Sequence, residues 1–174
     1  MAVSGAEAGV GAGVGVGAGV GAGVVVGEGI GDGVAGDGVG EAAGGAVSAV
    51  DALLARARSE LVRLDPREAA ELQKAGGLLV DIRYAELRER DGTIPGALIV
   101  ERNELEWRLD PTGEHRAPEA THHDLPVVVI CNEGYASSLA AVSLRQLGLH
   151  RATDLTGGFQ AWRAAALPVE TGAE

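Results

Sequence analysis

The chain has 174 residues, enough for one domain with its own core, and a net charge of −11. Twenty-five acidic residues against 14 basic ones argue against a protein that grips a nucleic-acid backbone. One cysteine excludes an intramolecular disulfide, and His115, His122, His123 and His150 are scattered without the spacing of a zinc site, so no metal is implied.

Eighteen of the 28 glycines fall before residue 46, in a stretch of Gly, Ala and Val whose only charges are Glu7, Glu28, Asp32, Asp37 and Glu41. Such a stretch lacks the large apolar side chains that offset backbone entropy, so residues 1–46 read as a disordered tail. It has no basic region, and its glycines interrupt every apolar run. Neither a signal peptide nor a membrane helix is expected, and the reading is cytoplasmic. An irregular elastin-like repeat is the competing reading, and translated GC-rich DNA ahead of a true start near Val47 is another. The rest of the chain carries a net −6.

Residues 47–63 form a lead-in helix, capped by Ser48, with Leu53, Leu54, Ala57, Leu61 and Val62 at helical intervals. Asp65-Pro66 gives a cap and a first-turn proline for a helix over 67–74, stopped by Gly76-Gly77. Strand and helix then alternate. A buried strand over 78–82 is followed by a polar helix over 84–90. A second strand over 97–100 precedes a helix over 103–109 and a loop containing Pro111, Gly113 and Pro118. A third strand over 126–130 leads to a helix from about 138 to 147. A fourth strand over 152–155 leads through Gly157-Gly158 to a helix over 159–165, and 171–174 is a tail. This alternation predicts an α/β domain with a mainly parallel sheet, whose ligands bind beyond the carboxyl ends of the strands.

Cys131 lies at such an end, after Val127-Val128-Val129-Ile130 and before Asn132-Glu133-Gly134-Tyr135-Ala136-Ser137-Ser138. A thiolate there is stabilised by loop N–H groups and by the positive end of the following helix. Gly134 permits the sharp turn, amides from Asn132 to Ser137 can form an anion nest, and Ser137 or Ser138 is expected to cap the helix. The competing reading is a small buried hydrophobe.

Four pieces in order resemble the rhodanese-like sulfurtransferases: Leu79-Val80-Asp81-Ile82-Arg83, Gly92-Thr93-Ile94-Pro95-Gly96-Ala97, the Cys131 loop, and Gly157-Gly158-Phe159-Gln160-Ala161-Trp162 before Leu167-Pro168-Val169. The resemblance covers a domain over about 64–170. It implies about five mainly parallel strands flanked by helices on both faces. It also implies a catalytic Cys131 that takes a sulfane sulfur from a donor as a persulfide and passes it to a nucleophilic acceptor, without metal or organic cofactor. The substrate-binding loop is then Asn132, Glu133, Gly134, Tyr135, Ala136 and Ser137, supported by Asp81 and Arg83. The donor is a small sulfur compound or a persulfide protein. The acceptor is a thiol such as glutathione or thioredoxin, with no nucleic acid or membrane partner.

Three positions depart from the family pattern. Ala136 stands where Arg, Thr or Ser is common, Thr93 where His is usual, and Glu133 places a carboxylate beside the thiol. Ala136 weakens the case for a small oxyanion donor, Thr93 leaves only the structural role of the turn, and Glu133 predicts modest thiosulfate activity and a less anionic donor. Ser137 stands where a cysteine phosphatase carries its phosphate-clamping arginine, which argues against phosphate-ester chemistry. Asp81 and Arg83 read first as an ion pair closing the strand end, with Arg83 able to add positive potential; Arg102 is a weaker candidate for the same rim. Tyr135 is placed at the pocket mouth or on the surface, and Trp107 and Trp162 are expected as packing anchors. The alternative function is a non-catalytic module that binds a partner or senses redox state.

Overall fold

The computed structural model describes residues 47–171, so the readings for residues 1–46 and 172–174 lie outside the described residues. Helix α1 (Ala49–Ser59) opens with the Ser48 hydroxyl accepting from the Asp51 amide. Helix α2 (Pro66–Lys74) is set by a reciprocal cap, in which Asp65 accepts from the Arg67 and Glu68 amides while the Asp65 amide donates to Glu68 Oε2. Then come β1 (Leu78–Asp81), α3 (Ala85–Asp91), β2 (Leu98–Ile99), α4 (Leu105–Leu109), β3 (Val127–Ile130), α5 (Ala136–Gln146), β4 (Ala152–Asp154) and α6 (Gly158–Ala164).

The strands form one parallel sheet in the order β2-β1-β3-β4, with Val80 opposite Val129 and Val127 opposite Ala152. Among the described residues the sheet has four strands, in keeping with the expected count of about five, and beyond β4 only a parallel bridge between Leu64 and Leu155 forms. The reason is local: Asp65, the next residue, is committed to capping α2, so the pairing stops after one residue. The strand expected over 97–100 also shortens, because the Ala97 amide closes a turn onto Ile94.

Strand β3 is buried along its whole length, as its run of β-branched residues requires of a strand covered on both faces. On one face Val80, Ile82, Val127 and Val129 pack with Leu105 and Leu109 of α4 and with Ala140, Ala141 and Leu144 of α5. On the other, Leu79, Val128 and Ile130 pack with Ala69 of α2 and with Phe159 and Trp162 of α6. Helix α1 lies against α5 through Leu54 and Ala57. Among the described residues no helix is long and apolar enough to cross a membrane. Parallel pairing brings the carboxyl ends of β1, β3 and β4 to the same edge, and the candidate site is built there.

Candidate active site

Cys131 follows β3 and is 8 % exposed. Its Sγ accepts from the amides of Gly134 at 3.1 Å and Ser137 at 3.4 Å, and lies 3.2 Å from the Ser137 hydroxyl. The loop that delivers these amides depends on glycine. Gly134 has φ +78°, and a Cβ there would stand 2.8 Å from the Gly157 nitrogen. Gly158 is tighter, since its Cβ would come within 2.4 Å of the Cys131 carbonyl oxygen. That close approach lets the Phe159 and Gln160 amides donate to the carbonyls of Cys131 and Asn132, which ties the loop's entry to α6.

The amides of Asn132, Glu133, Tyr135 and Ala136 have no protein acceptor among the described residues. A set of N–H groups around a thiol is an anion-receiving arrangement, able to hold a charged sulfur beyond Sγ. Asn132 Oδ1 is fixed by the Gln160 amide group at 2.9 Å. Glu133, Tyr135 and Ala136 are exposed, and Glu133 has no ion pair or hydrogen bond among the described residues. The Ala136 methyl offers no donor.

Neither Ser137 nor Ser138 caps α5, which begins two residues earlier than its sequence pattern indicates. Both hydroxyls have other partners. Ser137 and Ser138 lie buried in the first turn and donate to Asp154 Oδ2 at 3.1 and 2.7 Å. Asp154, buried at the end of β4, is held in addition by the Arg63 guanidinium at 2.8 and 3.0 Å. Cys131, Ser137, Asp154 and Arg63 thus form one chain of contacts.

Asp81 and Arg83 are both buried, paired through Arg83 Nε at 3.0 Å and Nη2 at 2.6 Å. Arg83 also donates to the Gly92 carbonyl, and its guanidinium lies 3.4 Å from the centroid of the Phe159 ring. Arg83 borders the cavity described next; its pairing with Asp81 closes the strand end, while its Nη1 is buried without a hydrogen-bond partner among the described residues. Trp162 is the expected anchor, with Nε1 donating to the Pro168 carbonyl at 2.9 Å. Trp107 is not: at 62 % exposure it stands off the core, because α4 turns Leu105 and Leu109 inward instead.

A cavity of about 550 Å³ opens beside Cys131, with Ile82, Tyr84, Leu87 and Tyr135 as apolar walls and Glu101, Arg102 and Glu133 as charged ones. Arg102 is paired with Glu106 at 3.0 Å and Glu101 with Arg88 at 2.7 Å, so Glu133 alone of these three lacks a partner among the described residues. Among the described residues no cluster could hold a metal ion.

Sequence reasoning missed Arg58 and Arg63. Arg58 Nη2 donates to the Gly134 carbonyl at 2.8 Å and Arg63 Nη2 to the same oxygen at 3.1 Å. A signal was present: Arg58 falls between Ala57 and Leu61 and four residues after Leu54, on the packed stripe of α1, where a guanidinium needs a partner.

A parallel sheet whose central strand feeds a cysteine into a loop of inward amides, closed by a Gly-Gly turn, defines an anion-loop α/β domain. The rhodanese-like domain model matches residues 65–165, and the chain belongs to that family. It is 34 % identical over 115 residues to thiosulfate sulfurtransferase GlpE of Ectopseudomonas mendocina, covering 65 % of this chain and 94 % of that protein. Among solved structures it resembles a possible tyrosine phosphatase of Rhodopseudomonas palustris, with 35 % identity and a TM-score of 0.64 over 71 % of this chain and 95 % of that one. The polysulfide-sulfur transferase homodimer of Wolinella succinogenes shares the fold, with 24 % identity and a TM-score of 0.57 over 71 % of this chain and 88 % of that one.

Proposed function

We propose that the protein is a sulfurtransferase that carries sulfane sulfur on Cys131. The observation that carries this reading is the Cys131 sulfur held between the Gly134 and Ser137 amides beside an open cavity. After the thiol has lost its proton, the Cys131 thiolate attacks the outer sulfur of a donor R–S–S⁻. The donor S–S bond breaks, RS⁻ leaves, and Cys131 becomes a persulfide. An acceptor thiolate then attacks the outer sulfur, forms its own persulfide and releases the Cys131 thiolate. The loop amides without protein acceptors would hold the outer sulfur's charge. Ser137 Oγ accepts from a neutral thiol and, by rotating its proton, donates to a charged one, while Asp154 keeps its bonds from Ser138 and Arg63.

The cavity is larger than an inorganic anion needs, and its walls are mostly apolar, with Glu133 beside the thiol. This favours an organic persulfide or a persulfide-bearing protein as donor over thiosulfate, and a thiol such as glutathione or thioredoxin as acceptor. A reducing cytoplasm suits a single free cysteine. Phosphate-ester chemistry is disfavoured, because Ser137 offers no bidentate cation to a phosphate.

Intact-protein mass spectrometry after exposure to thiosulfate, glutathione persulfide and polysulfide tests the reading. One added sulfur is expected on the native protein and none on Cys131→Ser. Absence of the added sulfur with every donor would overturn it in favour of a non-catalytic binding module.

A further inference from the structure

We propose that α1 and the residues after it are part of the active site: Arg58 and Arg63 hold the Gly134 carbonyl from behind the loop, fix the loop in its anion-binding form, and place there the positive charge that the loop itself lacks. The proposal rests on the reading of Cys131 as the nucleophile.

A backbone loop binds an anion only when its N–H dipoles face inward and its carbonyls face outward, and each outward carbonyl needs a donor of its own. At Gly134 the two shortest contacts come from guanidinium groups, Arg58 at 2.8 Å and Arg63 at 3.1 Å, while the Ser138 hydroxyl, which donates to Asp154 at 2.7 Å, stands farther from the same oxygen at 3.3 Å. Charged donors make the stronger hydrogen bonds. The trans peptide sets the Tyr135 N–H opposite the Gly134 carbonyl, so it points away from the two arginines. Gly134, at φ +78°, is the residue of the loop freest to rotate, and without those donors the Gly134–Tyr135 peptide could turn its carbonyl towards the anion. The arginines oppose that flip.

Their charges are not equivalent. Arg63 is matched by Asp154, whereas Arg58 has no carboxylate partner among the described residues. Arg58 Nε donates instead to the Ser138 hydroxyl at 3.3 Å, and its guanidinium lies 5.4 Å from the centroid of the Tyr135 ring. One uncompensated positive charge therefore sits against the back of a loop whose own side chains contribute only the Glu133 carboxylate. Both arginines precede residues 65–165, the part of the chain that matches the family model. The loop's charge balance is thus completed by a segment outside the matched domain.

The test uses the full chain with Arg58→Met and Arg58→Lys. Alkylation of Cys131 by iodoacetamide at neutral pH is followed by intact mass, and ultraviolet thiolate absorbance and hydrogen exchange of α1 are measured on the same samples. Arg58→Met is expected to slow alkylation about fivefold or more, the scale of losing one hydrogen bond to a charged group. Arg58→Lys, which returns a charge to the carbonyl, recovers most of the rate and of the thiolate absorbance. An unchanged rate in Arg58→Met overturns the proposal. An equal loss in both variants overturns it too, because the effect then belongs to the packing of α1. Alkylation reads the thiol without any sulfur donor, so a failure here is distinguishable from a failure to form persulfide.

Discussion

Glu133 is the acidic side chain of the Cys131 loop and is exposed, bordering the cavity without a partner among the described residues. Its field falls on any anion that approaches Sγ, and exposure screens that field without abolishing it. Replacing Glu133 by Gln should raise the second-order rate with thiosulfate about threefold to tenfold, an effect of about 1 kcal/mol typical of a charge a few ångströms away in a partly wet site. Glu133→Arg should raise it further, and both gains should shrink in high salt. An alkyl persulfide donor, which carries one negative charge where thiosulfate carries two, should respond less. Steady-state kinetics with the two donors separates this from a general change in loop mobility, which would move both rates together. Ala136 and Glu133 were legible as departures from a basic loop because each is a property of one residue. Their compensation was not, because Arg58 is 76 residues from Gly134 along the chain.

At the scale of elements, what could be read from the sequence was what is decided locally. The Asp65-Pro66 cap, the all-apolar β3 and the Gly157-Gly158 turn each carry their cause within a few residues, and each forms as expected. The start of α5 was misplaced because Ser137 and Ser138 have the composition of caps, yet a buried carboxylate on β4 claims both hydroxyls. Trp107 was misplaced because a five-residue helix has only one buried stripe, which Leu105 and Leu109 already fill. The Gly-Gly turn shows how closely two elements depend on each other: Gly158 has φ +59°, and a Cβ on it would stand 2.4 Å from the Cys131 carbonyl oxygen. A Gly158→Ala change must displace the loop or the start of α6, and is expected to cost about 2 kcal/mol or more from strain and overpacking. Chemical denaturation should show that loss, and Cys131 alkylation should change with it. A stable variant with native reactivity would mean that the loop and α6 can separate freely.

Across the whole molecule, the loop is tied to the far end of α3 by a polar path. Asp91 receives Arg90 at 2.7 Å, Arg163 of α6 at 3.3 Å and the Gln160 side chain at 3.3 Å, and Gln160 also reaches Asn132 of the loop. The hydrogen bond and charge of Arg90, helped by Gln160 and Arg163, hold the Asp91 carboxyl down at about 2, against 3.8 for the isolated group. The folded protein therefore binds that proton more weakly than the unfolded chain does. The stabilisation from Asp91 is fully present above the unfolded value and is lost as pH falls through about 4 towards about 2. Protonation also weakens the carboxylate's hold on Arg163 and Gln160, so the α3–α6 contact should loosen in the same window as the support behind Asn132. Thermal unfolding followed from neutral pH into acid should show the native protein losing stability more steeply below about 4 than Asp91→Asn, which has no proton to gain at that position. Parallel acid limbs for the two proteins would remove Asp91 from the acid response and leave it to the other carboxylates of a chain that carries a net −11 at neutral pH.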